Sequence, residues 1–388
     1  MIDTTTAIGA LAGPGLGDGI RARFLDSVNG LRMHILEAGY ETPGRPLLLL
    51  LHGFPELAYS WRKVMRPLAA AGYHVVAPDQ RGYGRTTGWS DAYDQELRPF
   101  SMLHLAGDAV ALVYALGHAH AAAVIGHDFG SPVAAWCALA RPDVFRASVM
   151  MSSPFAGTPT PDIPGASTAG GLHASKEAVA QGLAALPRPR KHYQWYYSER
   201  EANADMMHAP QGLHAFLRAY FHFKSADYAG NTPYRLASAA PEHLAEMPTY
   251  YIMDLAAGMA ETVAPYMPSA GEIAACAWMP DSEMAVYAQE YGRTGFQGGL
   301  NWYRTRFDAG VAADQRLYAG KTIDVPSMFI AGSSDWGIYQ VPGAVEATQT
   351  RACTAMRGCH FVPGAGHWVT QEKPDAVVRL LLDFLKSA

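Results

Sequence analysis

The segment VIGHDFGSP sets an acidic side chain, Asp128, at the end of an apolar run and just ahead of a Gly-Ser pair that can open a helix. A tight strand-to-helix turn of this kind, with small residues on either side, has the form of a nucleophile elbow, whose usual occupant is serine. A serine hydroxyl suits attack on an acyl carbon, because water can cleave the ester that results. At a saturated carbon the same hydroxyl would leave a stable ether. A carboxylate attacking saturated carbon instead gives an alkyl ester, and water can then attack its carbonyl. Aspartate at the elbow therefore points to displacement at sp³ carbon, with an epoxide oxygen or a halide departing. The plainer alternative is that Asp128 only caps the helix that follows.

Two further segments carry complementary chemistry. In LLLLLHGFPE an apolar strand runs into a His-Gly-Phe-Pro turn, and the backbone amide of Phe54 can aim at the same point as that of Phe129. Two amides converging on one oxygen make an oxyanion hole. In FIAGSSDWG and FVPGAGHWVTQEKP, Asp335 and His367 each fall in a loop after a strand. In open α/β sheets ligands sit beyond the carboxyl ends of the strands, where Asp128, Asp335 and His367 all fall in the order nucleophile, acid, histidine. His367 would take a proton from water, with Asp335 fixing its tautomer. His360 lies inside the same strand and Asp324 precedes its strand, so both compete from the wrong place. The other histidines, the His118/His120 pair among them, read as surface residues or as supports behind the site. No metal-ligand set is visible, and the chemistry asks for no cofactor.

These groups need a scaffold of alternating strands and helices. Strands are expected at Leu31–Ala38, Pro46–Leu51, Tyr73–Asp79, Ala121–His127 and Ala147–Ser153, with helices at Tyr59–Ala71, Ser101–Leu116 and from the elbow to Ala140. PLLLLL is nearly continuous, as suits a strand buried on both faces. The rhythm breaks at the Pro/Gly/Thr-rich SPFAGTPTPDIPGASTAGG and resumes with strands at Val325–Gly332 and Met356–Pro363 and a helix at Pro374–Lys386. The expected organisation is one α/β core, a mostly parallel sheet flanked by helices, made of residues 1–153 and 321–388. A mainly helical lid, residues 154–320, interrupts it. The N-terminal glycines, Gly13 to Gly19, do not link a strand to a helix and give no phosphate loop.

Composition narrows the class of function. The chain has 388 residues, 49% hydrophobic and 17% charged, with 30 Lys+Arg against 35 Asp+Glu. That supports a sizeable core and argues against nucleic acid as a partner. Four scattered cysteines suit neither a disulfide scaffold nor a zinc ribbon. No apolar stretch is long enough for a membrane helix, and the start lacks the basic region of a signal peptide, so the expected location is the cytoplasm.

With these pieces in place, the chain resembles the α/β-hydrolase fold and, within it, the epoxide hydrolases. HGFPE, PDQRGYGRT, GHDFGS, SSDW and AGHW are similar to that family's core motifs, in order, and span the core. The resemblance implies hydrolysis of an epoxide to a vicinal diol through an ester on Asp128, without a cofactor. GFQGGLNWYR is similar to the lid segment whose tyrosine binds the epoxide oxygen, here Tyr303. HYQWYY matches the segment supplying its partner, with Tyr193 the candidate and Tyr196 and Tyr197 close by. A neutral phenol, pKa about 10, can hydrogen-bond the opening oxygen and then yield its proton. Phe54, Phe129 and Trp368 are candidate substrate contacts, and the aromatic lid favours a bulky, apolar epoxide. Two departures stand out. The span from Asp128 to Asp335 is long for the family, which places an extra lid segment within His208 to Gln289. No phosphatase-like domain is expected ahead of the core. PTYYIMDLAAGMAETVAPYM, inside the extra segment, reads either as pocket lining or as helical core. A haloalkane or haloacetate dehalogenase shares the aspartate elbow. However, Phe54 and Phe129 offer a halide no side-chain donor, and no arginine stands beside the nucleophile to hold a carboxylate. A non-catalytic binding protein of the same fold would have a broken triad. The identity of the epoxide, the carbon attacked, the physiological role and assembly into a homo-oligomer stay open.

Overall fold

The computed structural model describes residues 9–160 and 176–388, so residues 161–171 of the Pro/Gly/Thr-rich stretch lie outside the described residues. Strands run in chain order as β1 (Ile20–Val28), β2 (Leu31–Ala38), β3 (Leu47–Leu51), β4 (His74–Pro78), β5 (Ala123–His127), β6 (Ser148–Met151), β7 (Arg190–His192), β8 (Ile252–Asp254), β9 (Ser327–Gly332) and β10 (Met356–Val362). Eight of them form one sheet in the order β1-β2-β4-β3-β5-β6-β9-β10. β1 and β2 pair antiparallel, as do β2 and β4, and the remaining pairs are parallel.

The leucine run of β3 shows why the sheet is so apolar. Leu47, Leu49 and Leu51 face one hydrophobic cluster while Leu48 and Leu50 face another, as the two-residue period of a strand requires. On the first face lie α2 (Met102–Ala115) and α3 (Gly130–Ala140), with Leu105, Leu112, Val133 and Trp136 in the same cluster. On the second lie α1 (Arg62–Ala70) and the C-terminal helix Pro374–Leu385, with Val64, Leu68, Val378 and Leu381. Ser101 caps α2, its hydroxyl accepting the His104 N–H at 3.3 Å. The expected helix from Tyr59 begins instead as a short 3-10 turn, Ala58–Trp61, before α1.

Between β6 and β9 the chain is mostly helical, with the two-stranded β7–β8 pair as its only sheet among the described residues. PTYYIMDLAAGMAETVAPYM is not a continuous helix. It holds β8 and the short helix Met259–Val263. Helices Asp281–Thr294 and Gln297–Arg304 dock this segment on the core. The Trp302 indole N–H donates to Arg81 O at 2.9 Å, the Tyr291 hydroxyl donates to Glu56 O at 3.1 Å, and Arg85 pairs with Glu290 at 2.6 Å. Among the described residues no helix is long and apolar enough to cross a membrane.

Candidate active site

Asp128 follows β5 directly, with φ +51° in the left-handed region that a non-glycine residue rarely occupies. The turn is tight enough to demand glycine before it, because a Cβ on Gly126 would lie 1.9 Å from Gly130 O. This strained corner lifts the carboxylate off the end of the sheet. Its Oδ1 accepts the Phe54 N–H at 2.8 Å. Gly53 makes that approach feasible: a Cβ there would stand 2.4 Å from Asp128 Oδ1 and 2.6 Å from the Phe129 amide nitrogen. Both amides and the carboxylate therefore crowd one point.

The other oxygen of Asp128, Oδ2, faces His367 Nε2 at 3.1 Å. His367 Nδ1 lies 3.1 and 3.2 Å from the two oxygens of Asp335. Asp335 is itself fixed, with Oδ1 accepting the Gly337 N–H at 2.7 Å. Burial pushes both aspartates up, but His367 through hydrogen bond and charge, together with the Lys224 charge, outweighs it, and both end below the usual carboxylate range. The competitors lie elsewhere. His360 is within β10, Asp324 Oδ1 accepts from Thr322 and Thr354, and His118 Nε2 meets His74 Nδ1 at 3.0 Å.

Aromatic side chains cover the carboxylate. The Tyr303 ring lies 4.8 Å from Phe129, 5.5 Å from Phe54 and 5.9 Å from Tyr193. Burial raises the Tyr303 phenol well above its ordinary value, with Tyr193 and Asp128 adding to the effect. Tyr193 is raised by burial and then by Asp128. Both phenols thus feel the elbow carboxylate and stay neutral. The neighbouring tyrosines are engaged otherwise. The Tyr196 hydroxyl donates to Asp205, and Tyr197 donates to the Tyr220 hydroxyl at 3.3 Å while its ring fills the space between Phe54 and Tyr303. Trp368 is fully buried behind His367, ring to ring at 4.7 Å, with its indole N–H donating to Phe221 O. Beyond Phe129 a cleft of about 390 Å³ opens between α3 and the inserted segment, lined by Trp136, His192, Trp195 and Arg306.

Four residues around the site went unremarked in the sequence or were read as peripheral. Glu56 and His127 form a buried pair, Oε2 to Nδ1 at 2.6 Å, and Glu56 also accepts the Gly53 N–H at 2.9 Å. Burial alone would lower His127, but Glu56 and Asp128 lift it to about 9. Glu372 accepts the N–H groups of Gly366 and Trp368, which flank His367, and of Ala226, each at 2.9 Å. Lys224, which ends helix Leu213–Lys224, accepts the His367 N–H on its carbonyl at 2.9 Å. HGFPE and GHD already contained Glu56 and His127. Nothing local in the sequence marks Lys224 or Glu372.

Residues 46–202 match the family model of the alpha/beta hydrolase fold. The chain is 34% identical over 373 residues to Epoxide hydrolase A of Mycobacterium tuberculosis, covering 94% of this chain and 96% of the relative. A solved epoxide hydrolase from an endophytic Streptomyces superposes with TM-score 0.74 at 31% identity, over 95% of this chain and 96% of that one. Potato epoxide hydrolase I superposes with TM-score 0.68 at 30% identity, over 95% and 100%.

Proposed function

The chain belongs to the epoxide hydrolases of the α/β-hydrolase fold, and we propose that it turns an epoxide and water into a vicinal diol through a covalent ester on Asp128. The observation that carries this reading is the double engagement of one carboxylate. Oδ1 already receives the Phe54 amide and Oδ2 already faces His367, so one oxygen sits where an oxyanion would form while the other is free to attack.

In the first step Asp128 Oδ2 bonds to an oxirane carbon and the C–O bond of the ring breaks. Tyr193 and Tyr303 receive the departing oxygen, and one phenol gives it a proton. In the second step His367 takes a proton from water, and the hydroxide adds to the Asp128 carboxyl carbon while Asp335 balances the imidazolium. The oxyanion rests on the amides of Phe54 and Phe129. Collapse breaks the ester bond, His367 protonates the leaving alkoxide, and the acid proton left on Asp128 returns to the phenolate. Residues 154–320 act as the lid over this chemistry. Their aromatic wall, with Phe54 and Phe129, suits a bulky apolar substrate.

The test is diol formation from aryl and alkyl epoxides by wild type and Asp128→Ala, with intact-mass analysis of His367→Gln. Activity should vanish in the first variant, and an enzyme–substrate ester should accumulate in the second. Turnover by Asp128→Ala would overturn the mechanism.

A further inference from the structure

Lys224 is a buried cation with no ion pair among the described residues. It is 3% exposed. The carboxylates that act on it are occupied elsewhere: Asp128 and Asp335 pair with His367, and Glu56 with His127. Its Nζ instead stands among aromatic faces, 5.1 Å from the Tyr251 ring centroid, 5.2 Å from Tyr220, 5.3 Å from Trp368 and 5.9 Å from Tyr250. Ring quadrupoles attract a desolvated ammonium and partly replace its lost water. Burial still pulls the ammonium down, and Asp128, Asp335 and Glu56 pull it back up. An apolar chain of the same length would fill this cage without the cost of a buried charge, so packing alone does not account for Lys224.

Counting the charges around the cage shows what the cation can do. Its own helix contributes Tyr220, the turn before β8 contributes Tyr250 and Tyr251, and all three phenols are pushed well above their ordinary value and stay neutral. Asp128 and His127 approach from β5, Glu56 from the turn after β3, Asp335 from the loop after β9, and His367 from the loop after β10. Before reaction three carboxylates face the cations His127 and Lys224. Esterification removes the charge of Asp128, and Asp335 and Glu56 then meet two cations in balance. Burial pushes Glu372, whose carboxyl holds the N–H groups flanking His367, up to about 7, so below that pH it adds no charge and no surplus is left to draw a proton onto His367, which must be unprotonated to act as a base.

We propose that Lys224 is a positioning residue for the second half-reaction, its caged charge keeping His367 unprotonated once Asp128 has become an ester. The proposal rests on the covalent reading above. The test follows ester formation and breakdown separately, by single-turnover mass analysis, in Lys224→Met and Lys224→Arg. In the methionine variant the acid limb of ester breakdown should move to higher pH, slowing breakdown about tenfold near pH 6 and hardly at all near pH 9. Arginine should restore the limb. Equal slowing at every pH, or an unmoved limb, would overturn the role. Lys224→Gln serves if the methionine variant does not fold. His367→Gln is run alongside: if it accumulates no ester, the covalent reading itself has failed.

Discussion

Nε2 of His127 donates to the carbonyl oxygen of His367 at 2.7 Å, so the residue beside the elbow aspartate props up the backbone of the histidine facing it. Its other nitrogen is bound to Glu56, which in turn holds the Gly53 N–H. One buried ion pair therefore braces both loops that meet at Asp128.

This pair makes stability depend on pH in a defined way. His127 is raised to about 9, so its contribution is complete below its ordinary pKa and is lost as pH rises through about 9. Glu56 is held below its ordinary value, so its contribution is present above that value and fades in acid. Thermal melting should show Tm falling between about pH 6.5 and about pH 9, and His127→Gln should flatten that fall. The variant should also lose about 3 kcal/mol or more at neutral pH, because Glu56 is left buried without its partner. An unchanged alkaline slope would disprove the assignment.

Glu372→Gln tests the clamp on the catalytic loop. The carboxylate gathers three backbone N–H groups, and an amide offers a donor where one acceptor stood. A small displacement of His367 should lower kcat about tenfold or more, with KM unchanged or lower as the ester accumulates. Steady-state kinetics on one good substrate would settle it, since an equal rise in KM would mean that the substrate pocket, not the base, had moved.

The lid tyrosines separate by what their hydroxyls touch. Tyr193→Phe and Tyr303→Phe should each slow ester formation on the order of 10²-fold, the loss of one preorganised donor. Tyr196→Phe should leave that rate alone and cost about 1–2 kcal/mol of stability through Asp205. Stopped-flow measurement of the single-turnover step distinguishes them, and a slow Tyr196→Phe would reverse the choice of Tyr193.

Gly53→Ala probes the crowded point. Its methyl would stand 2.4 Å from Asp128 Oδ1, so the carboxylate must turn away from the Phe54 amide. Turnover should fall about 10²-fold or more with the far-ultraviolet spectrum of the fold intact. Normal turnover would mean that the amide contact is dispensable.

Sequence patterning locates the inner parallel strands because β3, β4, β5, β6 and β9 are buried on both faces and read as nearly unbroken apolar runs. β1 escapes it: IRARFLDSV lies at the sheet edge, half exposed, with arginines and an aspartate among its apolar residues. β7 and β8 are three residues each, too short to carry a period. Asp128 is legible because the elbow is a local signal. Lys224, Glu372 and the Glu56–His127 pair are not, because the fold brings their partners from distant segments and each residue type has many ordinary uses. Tyr193, Tyr196 and Tyr197 share one helical turn and differ only in partners that appear in three dimensions.

Glu372 also bears on how a substrate gets in. By holding Ala226 together with Gly366 and Trp368, and with His367 itself tied to the Lys224 carbonyl, it joins the inserted segment to the loop that carries His367, the proposed base. Lifting the inserted segment there would pull the His367 loop apart with every turnover. Traffic of epoxide and diol is therefore expected where His192, Gln194, Trp195 and residues 305–307 border the open cleft beside Phe129.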